Sequence, residues 1–485
     1  MLRRTVTLLL FRHPSGVRNE VLGISRRSRG TVMSVVLSDA PHHRRRMPLS
    51  STNASDACDV GPGKHQTPIV NKLWRQREGV LRTASESLAQ AAAAAAAAED
   101  AANTKVAAPK APRESHTSVT YEFSSDAVLR ESYANPWGFV RMGRLIEDLD
   151  ALAGNIAALH CAEAISNGRG HYMLVTASVD RIDMRHRANL KDDMTLSGSV
   201  VWVGKSSMEI EMNVVSAWTT TPWLSARFVF VARNTETGRA APIPPLLLET
   251  EAEKAKFAEC QHRNDLRKKQ RAAAPSPPSL LSSAASGSAV GGGSTRPTAL
   301  REPTRLEQAS ELASDLLLEA RPLTDMPALA NRDAILMSST HLSNVFVCQP
   351  QQRNTHGRIF GGFLMRRAFE LSFATAYLFI GSQPQFREVD EVTFEKPVDV
   401  GNMVRFDSVV LYTSQSKTTM RPLVHVEVVA RVTRPEERLS FVSNTFHFVF
   451  EKRDGGTVRR VLPGTEEEAR RVALYLSDPS RPEII

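Results

Sequence analysis

The chain has 485 residues, of which 42% are hydrophobic and 23% charged, and a formal net charge of +9. That length exceeds one ordinary hydrophobic core and predicts two or more domains. The four cysteines form no CxxC pair, which disfavours a disulfide framework or a zinc site, and no apolar run reaches the roughly 18–20 residues that span a bilayer. A basic chain can bind nucleic acid, a membrane face or an anionic small molecule. No RNA-binding aromatic signature is present, so we expect no nucleic-acid partner.

The N-terminal segment, 1–33, has recurring arginines, and Glu20 is its only acidic residue. The composition predicts a mitochondrial transit peptide, with a disordered basic tail as the alternative. Residues 34–119 are of low complexity, and we expect them to be mostly disordered apart from a helix that runs into the alanine stretch Ala91–Ala98. That helix lacks a sustained apolar stripe, so it need not pack against the rest of the protein.

Two ordered blocks follow, 120–240 and 329–465, and each has a helical pattern ahead of several β-rich runs. The segment between them, 241–328, begins with a candidate charged helix and continues as a Pro-, Gly- and Ser-rich stretch, so we predict a mostly disordered linker. Residues 466–485 form a C-terminal tail.

The two blocks share a pattern in the same order, which indicates an internal duplication. NPWG at 135–138 matches NTHG at 354–357, and Gly143 matches Gly362. Further on, VDRIDM matches VDEVTF, and RFVF matches TFHF. One helix covers a long antiparallel sheet only if the sheet curls around it. Beyond Glu370 the second helix is apolar all round, which predicts a helix buried on every side.

A helix wrapped by an antiparallel sheet, opened by the N-x-x-G-x-x-x-G-G of residues 354–362, resembles the hotdog fold. Two such units in one chain resemble the double-hotdog acyl-coenzyme A thioesterases, and NTHGRIFGGFLMRRAFELSFATAYLF looks most like the mitochondrial type 9. The resemblance implies an α+β protein of two hotdog units that hydrolyses acyl-CoA to free fatty acid and coenzyme A, with no cofactor and no metal. It also implies a trimer of double-hotdog chains in the mitochondrial matrix.

The resemblance assigns the catalytic pair across the two units. The family's catalytic aspartate lies fifteen positions after the motif asparagine, which is Asp150 in the first unit, and it pairs with the asparagine of the other unit, Asn354. The second unit has Phe369 at the aspartate position, followed by Glu370, so the pair with Asn135 has lost its base. We therefore expect one working site and one degenerate site.

The expected roles follow from the chemistry of thioester hydrolysis. Asp150 would act as general base on a water, with a pKa raised by a partly apolar setting, and direct attack by Asp150 is a compatible alternative. Asn354 would position the water or the thioester, or else cap a turn. Gly361 and Gly362 precede a buried helix, where unpaired N–H groups would stabilise an oxyanion, unless they only form a tight turn.

Other positions have weaker assignments. Periodicity alone does not separate Asp148 from Asp150; the register of the repeat selects Asp150, and we expect Glu147 and Asp148 to be solvated first-turn acids.

The motif loop supplies candidate substrate contacts, namely His356, Gly357 and Phe360. By resemblance, two strand turns contact the nucleotide end of coenzyme A, although ordinary polar hairpins are the alternative. Their candidate residues are Lys205, Ser206, Ser207, Ser416 and Lys417.

Two rival functions remain open: a non-catalytic hotdog scaffold in a mitochondrial assembly, and a hotdog hydratase or dehydratase. The second would need a different arrangement of histidine and aspartate, and no such motif stands out in the sequence.

Overall fold

A computed structural model describes residues 67–95, 108–166, 172–273, 304–354, 357–390, 392–394 and 396–478. The predicted transit peptide, the middle of the linker and His356 lie outside these residues. The helices are α1 (Pro68–Ala95), α2 (Pro112–Ser115), α3 (Ala127–Tyr133), α4 (Met142–Ser166), α5 (Glu251–Ala273), α6 (Arg305–Asp325), α7 (Gly361–Ile380) and α8 (Glu466–Ser477). The strands are β1 (Thr117–Tyr121), β2 (Tyr172–Met184), β3 (Met194–Val203), β4 (Ser207–Ser216), β5 (Leu224–Asn234), β6 (Ala334–Leu336), β7 (Leu342–Val347), β8 (Gln385–Val389), β9 (Val392–Thr393), β10 (Met403–Gln415), β11 (Pro422–Arg434), β12 (Leu439–Glu451) and β13 (Arg460–Leu462).

Each half of the chain wraps an antiparallel sheet around one long helix. In the first half this helix is α4, whose apolar residues recur every three or four positions, so that Leu145, Leu149, Leu152 and Ile156 all lie fully buried against the sheet. In the second half it is α7, which ends where Gly381 adopts a left-handed conformation with φ +76°. The predicted α+β architecture of two hotdog units is confirmed.

The two sheets join at strand β2, in the middle of the joined sheet. Strand β2 of the first half pairs antiparallel with β8 of the second, with Ile182 opposite Val389, and β9 also pairs with β2. The joined sheet runs in the order β1-β3-β4-β5-β2-β8-β12-β11-β10-β7. This pairing brings α4 and α7 into contact, where Arg366 Nη1 lies 2.9 Å from Oε2 of the buried Glu147.

Helix α1 packs on α4, although its sequence did not require any packing. Its first two turns bury Ile69, Val70, Leu73 and Trp74, and the side chain of Asn155 on α4 donates to the Leu73 carbonyl at 2.7 Å. The apolar residues occupy a short stripe at i, i+1, i+4 and i+5 only, which is why the sequence lacks a sustained pattern.

The linker and the C-terminal tail contain more structure than the sequence indicated. Helix α5 lies on the first sheet, where Arg263 pairs with the buried Glu209 at 2.6 Å. Helix α6 packs against α8, which falls within the expected tail. Alanines on α6, at 309, 313 and 320, allow this close approach. Helix α5 corresponds to the predicted charged helix, whereas polar composition concealed α6 and α8, each of which buries only one narrow face.

Helix α7 is not buried on every side within one chain, in contrast to the expectation. Tyr377 is 41% exposed and Leu378 is 72% exposed. Within the described residues, every helix is too short or too polar to cross a membrane.

Candidate active site

The loop before α7 is closed by the side chain and backbone of Asn354. Its Oδ1 accepts the Arg358 N–H at 3.1 Å, and its backbone N–H donates to the Arg358 carbonyl at 2.6 Å. Gly357 turns the chain between them with φ +80°, a conformation that favours glycine. The loop leads into Phe360 at the N-cap, whose side chain caps none of the N–H groups of the first turn.

Asp150 reaches this helix start from the other half of the chain. Its Oδ2 accepts the Gly362 N–H at 2.6 Å, although 212 residues separate the two, and its Oδ1 accepts from Thr176 Oγ1 at 2.8 Å. Asp150 is 3% exposed. Burial raises the pKa of Asp150 to about 6, even though the bonds from Thr176 and Gly362 favour its charged form. The sequence-based expectation of a raised pKa agrees with this direction.

Two glycines are needed because the two halves approach each other closely here. A Cβ built on Gly362 would lie 2.9 Å from Phe360 Cε1 and 3.0 Å from both Asp150 Cβ and the Glu147 carbonyl oxygen. A Cβ on Gly361 would lie 3.1 Å from Asp150 Oδ2. No acceptor is found for the Gly361 N–H within the part of the chain that the structure describes. The Gly362 amide thus holds the carboxylate, and its neighbour Gly361 lines the cavity beside it.

A cavity of about 210 Å³ opens next to these groups and is lined by both Asp150 and Asn354. Phe360 and Gly361 also line it. The geometry therefore brings together four of the residues that the sequence selected. Four basic residues lie around the same cavity, namely Arg77, Arg233, Arg358 and Lys396.

Helix α1 contributes two residues that the sequence did not identify. Trp74 lines the cavity and meets the ring of Phe360 edge-on at a centroid distance of 5.3 Å. Arg77 also lines the cavity, and its Nε is buried without a hydrogen-bond partner among the described residues. Burial lowers the pKa of Arg77, against the opposing charge of Asp150. The short stripe Ile69–Trp74 was the only sequence signal for their burial.

Glu147 and Asp148 are buried, so the expectation that both are solvated first-turn acids is wrong. Asp148 accepts hydrogen bonds from the hydroxyls of Thr67, Tyr121 and Tyr133, and burial raises its pKa to about 7. Burial also raises the pKa of Glu147, which pairs with Arg366. The first turns of α4 face the second half of the chain and the start of α1, which the sequence of one half does not reveal.

The two strand turns that were assigned to the nucleotide end lie away from this cavity in a single chain. Ser416 accepts the Thr419 N–H at 3.2 Å, as in a polar hairpin. None of the five turn residues lines the cavity, and Gly357 does not line it either. These residues are Lys205, Ser206, Ser207, Ser416 and Lys417.

The duplicated position contains a second cavity, in which Phe369 replaces the aspartate. It is lined by Asn135 and Gly143 of the first half and by Phe369 and Glu370 of α7. The side chain of Glu370 pairs with Arg141. The structure therefore has two related cavities with unequal chemistry.

Two hotdog units that place a carboxylate of one at the helix start of the other, beside a cavity, define a double-hotdog protein. Among curated proteins, the chain is 42% identical to acyl-coenzyme A thioesterase 2, chloroplastic, of Humulus lupulus, over 87% of this chain and 91% of that protein. It is 41% identical to acyl-coenzyme A thioesterase 4, mitochondrial, of the same plant, over 90% of this chain and 78% of that protein. It is 34% identical to human acyl-coenzyme A thioesterase 9, mitochondrial, over 70% of this chain and 72% of that protein. The chain belongs to the acyl-coenzyme A thioesterase family, whose members are thioester hydrolases.

No protein-family model matches the chain. Among solved structures, the putative oleoyl thioesterase of Lactobacillus plantarum aligns over 70% of this chain and 97% of that one, with a TM-score of 0.39 and 10% identity. The family assignment rests on the sequence relatives.

Proposed function

We propose that this protein hydrolyses acyl-CoA thioesters to free fatty acid and coenzyme A in the cavity that Asp150 and Asn354 line. One observation supports this site above all: the buried carboxylate of Asp150 accepts the Gly362 N–H across the two halves of the chain. The relatives named above are acyl-CoA thioesterases, which supports the substrate class.

In the proposed reaction, Asp150 acts as general base. It takes a proton from water while the water oxygen bonds to the thioester carbonyl carbon. The Gly361 N–H, at the positive end of α7, donates to the oxyanion that forms, and Asn354 positions the water or the thioester. Collapse of the oxyanion breaks the carbon–sulfur bond, and the leaving thiolate takes the proton from Asp150.

Thiol release from a panel of acyl-CoA substrates, followed with a thiol-reactive dye, tests the activity itself. We expect release with at least one acyl-chain length. A purified, folded chain that releases no thiol from any member of the panel would contradict the proposal and favour the non-catalytic scaffold.

The acid limb of the pH profile should depend on Thr176. Because the base must be ionised, kcat/KM should rise with pH and reach half its plateau at about pH 6. Thr176→Val removes a hydrogen bond to the charged carboxylate, so the pKa of Asp150 should rise and the limb should move to higher pH by about one unit. Thr120→Val, on the exposed edge strand β1, is the matched control and should leave the limb in place. If the acid limb of the pH profile does not shift in Thr176→Val, then Asp150 is not the group whose ionisation sets that limb.

Basic residues around the cavity should bind the phosphates of coenzyme A. We propose that Arg358 and Lys396 make the first contacts and that the strand turns with Lys205 and Lys417 serve the nucleotide end. Arg358→Ala should raise KM by roughly three- to tenfold with little change in kcat, since an exposed ion pair contributes about 1 kcal/mol. Lys205→Ala and Lys417→Ala, measured in parallel, show whether the turns share this role. Unchanged KM values in all three variants would contradict both assignments.

We also propose that residues 1–33 direct the chain to the mitochondrial matrix and that the chains assemble into trimers. The named relatives are mitochondrial in two cases and chloroplastic in one. Exposed apolar residues on the edge strand β7 and on α7, such as Val345 and Leu378, support assembly. A fluorescent protein fused to residues 1–33 tests the compartment, with plastid import as the competing outcome in a plant cell, and light scattering tests the trimer.

A further inference from the structure

The second cavity, of about 600 Å³, is nearly three times as large as the one beside Asp150. It is built from the duplicated elements. Asn135 Oδ1 accepts the N–H groups of Trp137 and Phe139 at 3.0 Å each, as Asn354 closes its own loop, and Gly138 has φ +78° as Gly357 has φ +80°. The loop of the first half is therefore retained at the cavity where the second half has Phe369 in place of an aspartate.

A phenylalanine occupies the aspartate position of this cavity, and its two lining carboxylates are Glu131, exposed on α3, and Glu370. Phe369 stands where α4 has Asp150, and its ring meets those of Phe386 and Phe373 at 5.2 and 6.3 Å. The acidic side chain of Glu370 is held between Arg141 and Arg366, with Oε1 at 3.2 Å from Arg366 Nε. A carboxylate engaged by two guanidinium groups is not available as a general base.

The walls and the rim suit a ligand with an apolar chain and an anionic head. Aromatic rings of Trp137, Phe369, Phe373 and Phe386 line the interior. Two guanidinium groups, Arg141 and Arg187, also line it, and Arg187 sits 5.0 Å over the ring of Phe139. A cavity of this size lies in the range that encloses a drug-sized ligand.

We propose, on the basis of the assignment of hydrolysis to the Asp150 cavity, that the second cavity binds an acyl-CoA molecule through its acyl chain and does not hydrolyse it. Each chain then binds two acyl-CoA molecules and cleaves one. The bound but uncleaved molecule lies against α7, the helix whose first turn holds Asp150.

Binding stoichiometry tests this directly on the full chain. In isothermal titration with a non-hydrolysable thioether analogue of palmitoyl-CoA, the wild-type chain should bind two molecules. Phe373→Glu places a charge in the apolar wall and should reduce the count to one. Leu329→Glu, at an apolar residue that is 80% exposed and lines neither cavity, is the matched control and should keep the count at two. One molecule bound by the wild type, or two by Phe373→Glu, would overturn the proposal.

Tryptophan emission gives a second measurement that does not depend on Phe373→Glu folding. Trp137 lines the second cavity, 5.6 Å from Phe373 and 5.7 Å from Tyr377, so binding there should change its emission. Trp74 lines the Asp150 cavity and reports binding there, so Trp137→Phe should lose only the part of the change that comes from the second cavity. A change in Trp137→Phe identical to that of the wild type would place the second ligand elsewhere. The number of molecules bound is measured with an uncleavable ligand, so it does not depend on the catalytic role of Asp150. An error in that role would be detected by the thiol-release measurement instead.

Discussion

Asp150→Asn should reduce kcat for acyl-CoA hydrolysis by about 10²–10⁴-fold, the usual contribution of a general base. Asparagine keeps the shape of the side chain and can still accept the Gly362 N–H, so the loss reflects proton transfer rather than collapse of the site. The acid limb near pH 6 should disappear from the remaining activity, since the titrating group is gone. Thiol release under saturating substrate measures the first effect, and the pH profile measures the second.

Asp148→Asn is the control for Asp150→Asn. It changes a second buried aspartate on the same helix, two residues away, whose partners are three hydroxyl groups. We expect a lower melting temperature with thiol release largely retained, because Asp148 does not line the cavity. Full activity in Asp150→Asn would refute the assignment, and equal losses in the two variants would indicate damage to the fold rather than to catalysis.

Gly362→Ala should lower kcat by about 10²-fold, because a misplacement of about 1 Å at a catalytic group has an effect of that size. The added methyl group would meet Phe360, Asp150 and the Glu147 backbone at 2.9–3.0 Å, distances that force the helix start and the carboxylate apart. The loss should be in kcat more than in KM, since the cavity that receives the acyl-CoA lies beside this contact rather than within it.

Gly79→Ala provides the matched control for Gly362→Ala. Gly79 lies within α1, and a Cβ built on it would have no heavy atom within 4 Å. Alanine is favoured over glycine in a helix, so this variant should keep its activity and be slightly more stable. Wild-type kcat in Gly362→Ala would show that the close approach of the two halves does not set the position of the base.

Part of the arrangement around the Asp150 cavity could be predicted from the sequence. Repeated loops and glycines located both helix starts, and the register of the repeat chose Asp150 over Asp148 when periodicity alone did not. That register selects the carboxylate which meets Gly362, whereas Asp148 faces Tyr121 and Tyr133 instead. The absence of an aspartate at Phe369 was likewise readable, because it depends only on which residue occupies the matching position.

The sequence by itself determined the duplication, the two central helices and the residue types at the two helix starts, because these follow from local patterns and their repetition. Only the tertiary structure decided which side chains meet across the halves. Trp74 and Arg77 reach the Asp150 cavity because α1 packs on α4, and Glu147 is buried because α4 and α7 cross. Such contacts depend on how distant segments dock, so the pattern along any one segment does not encode them.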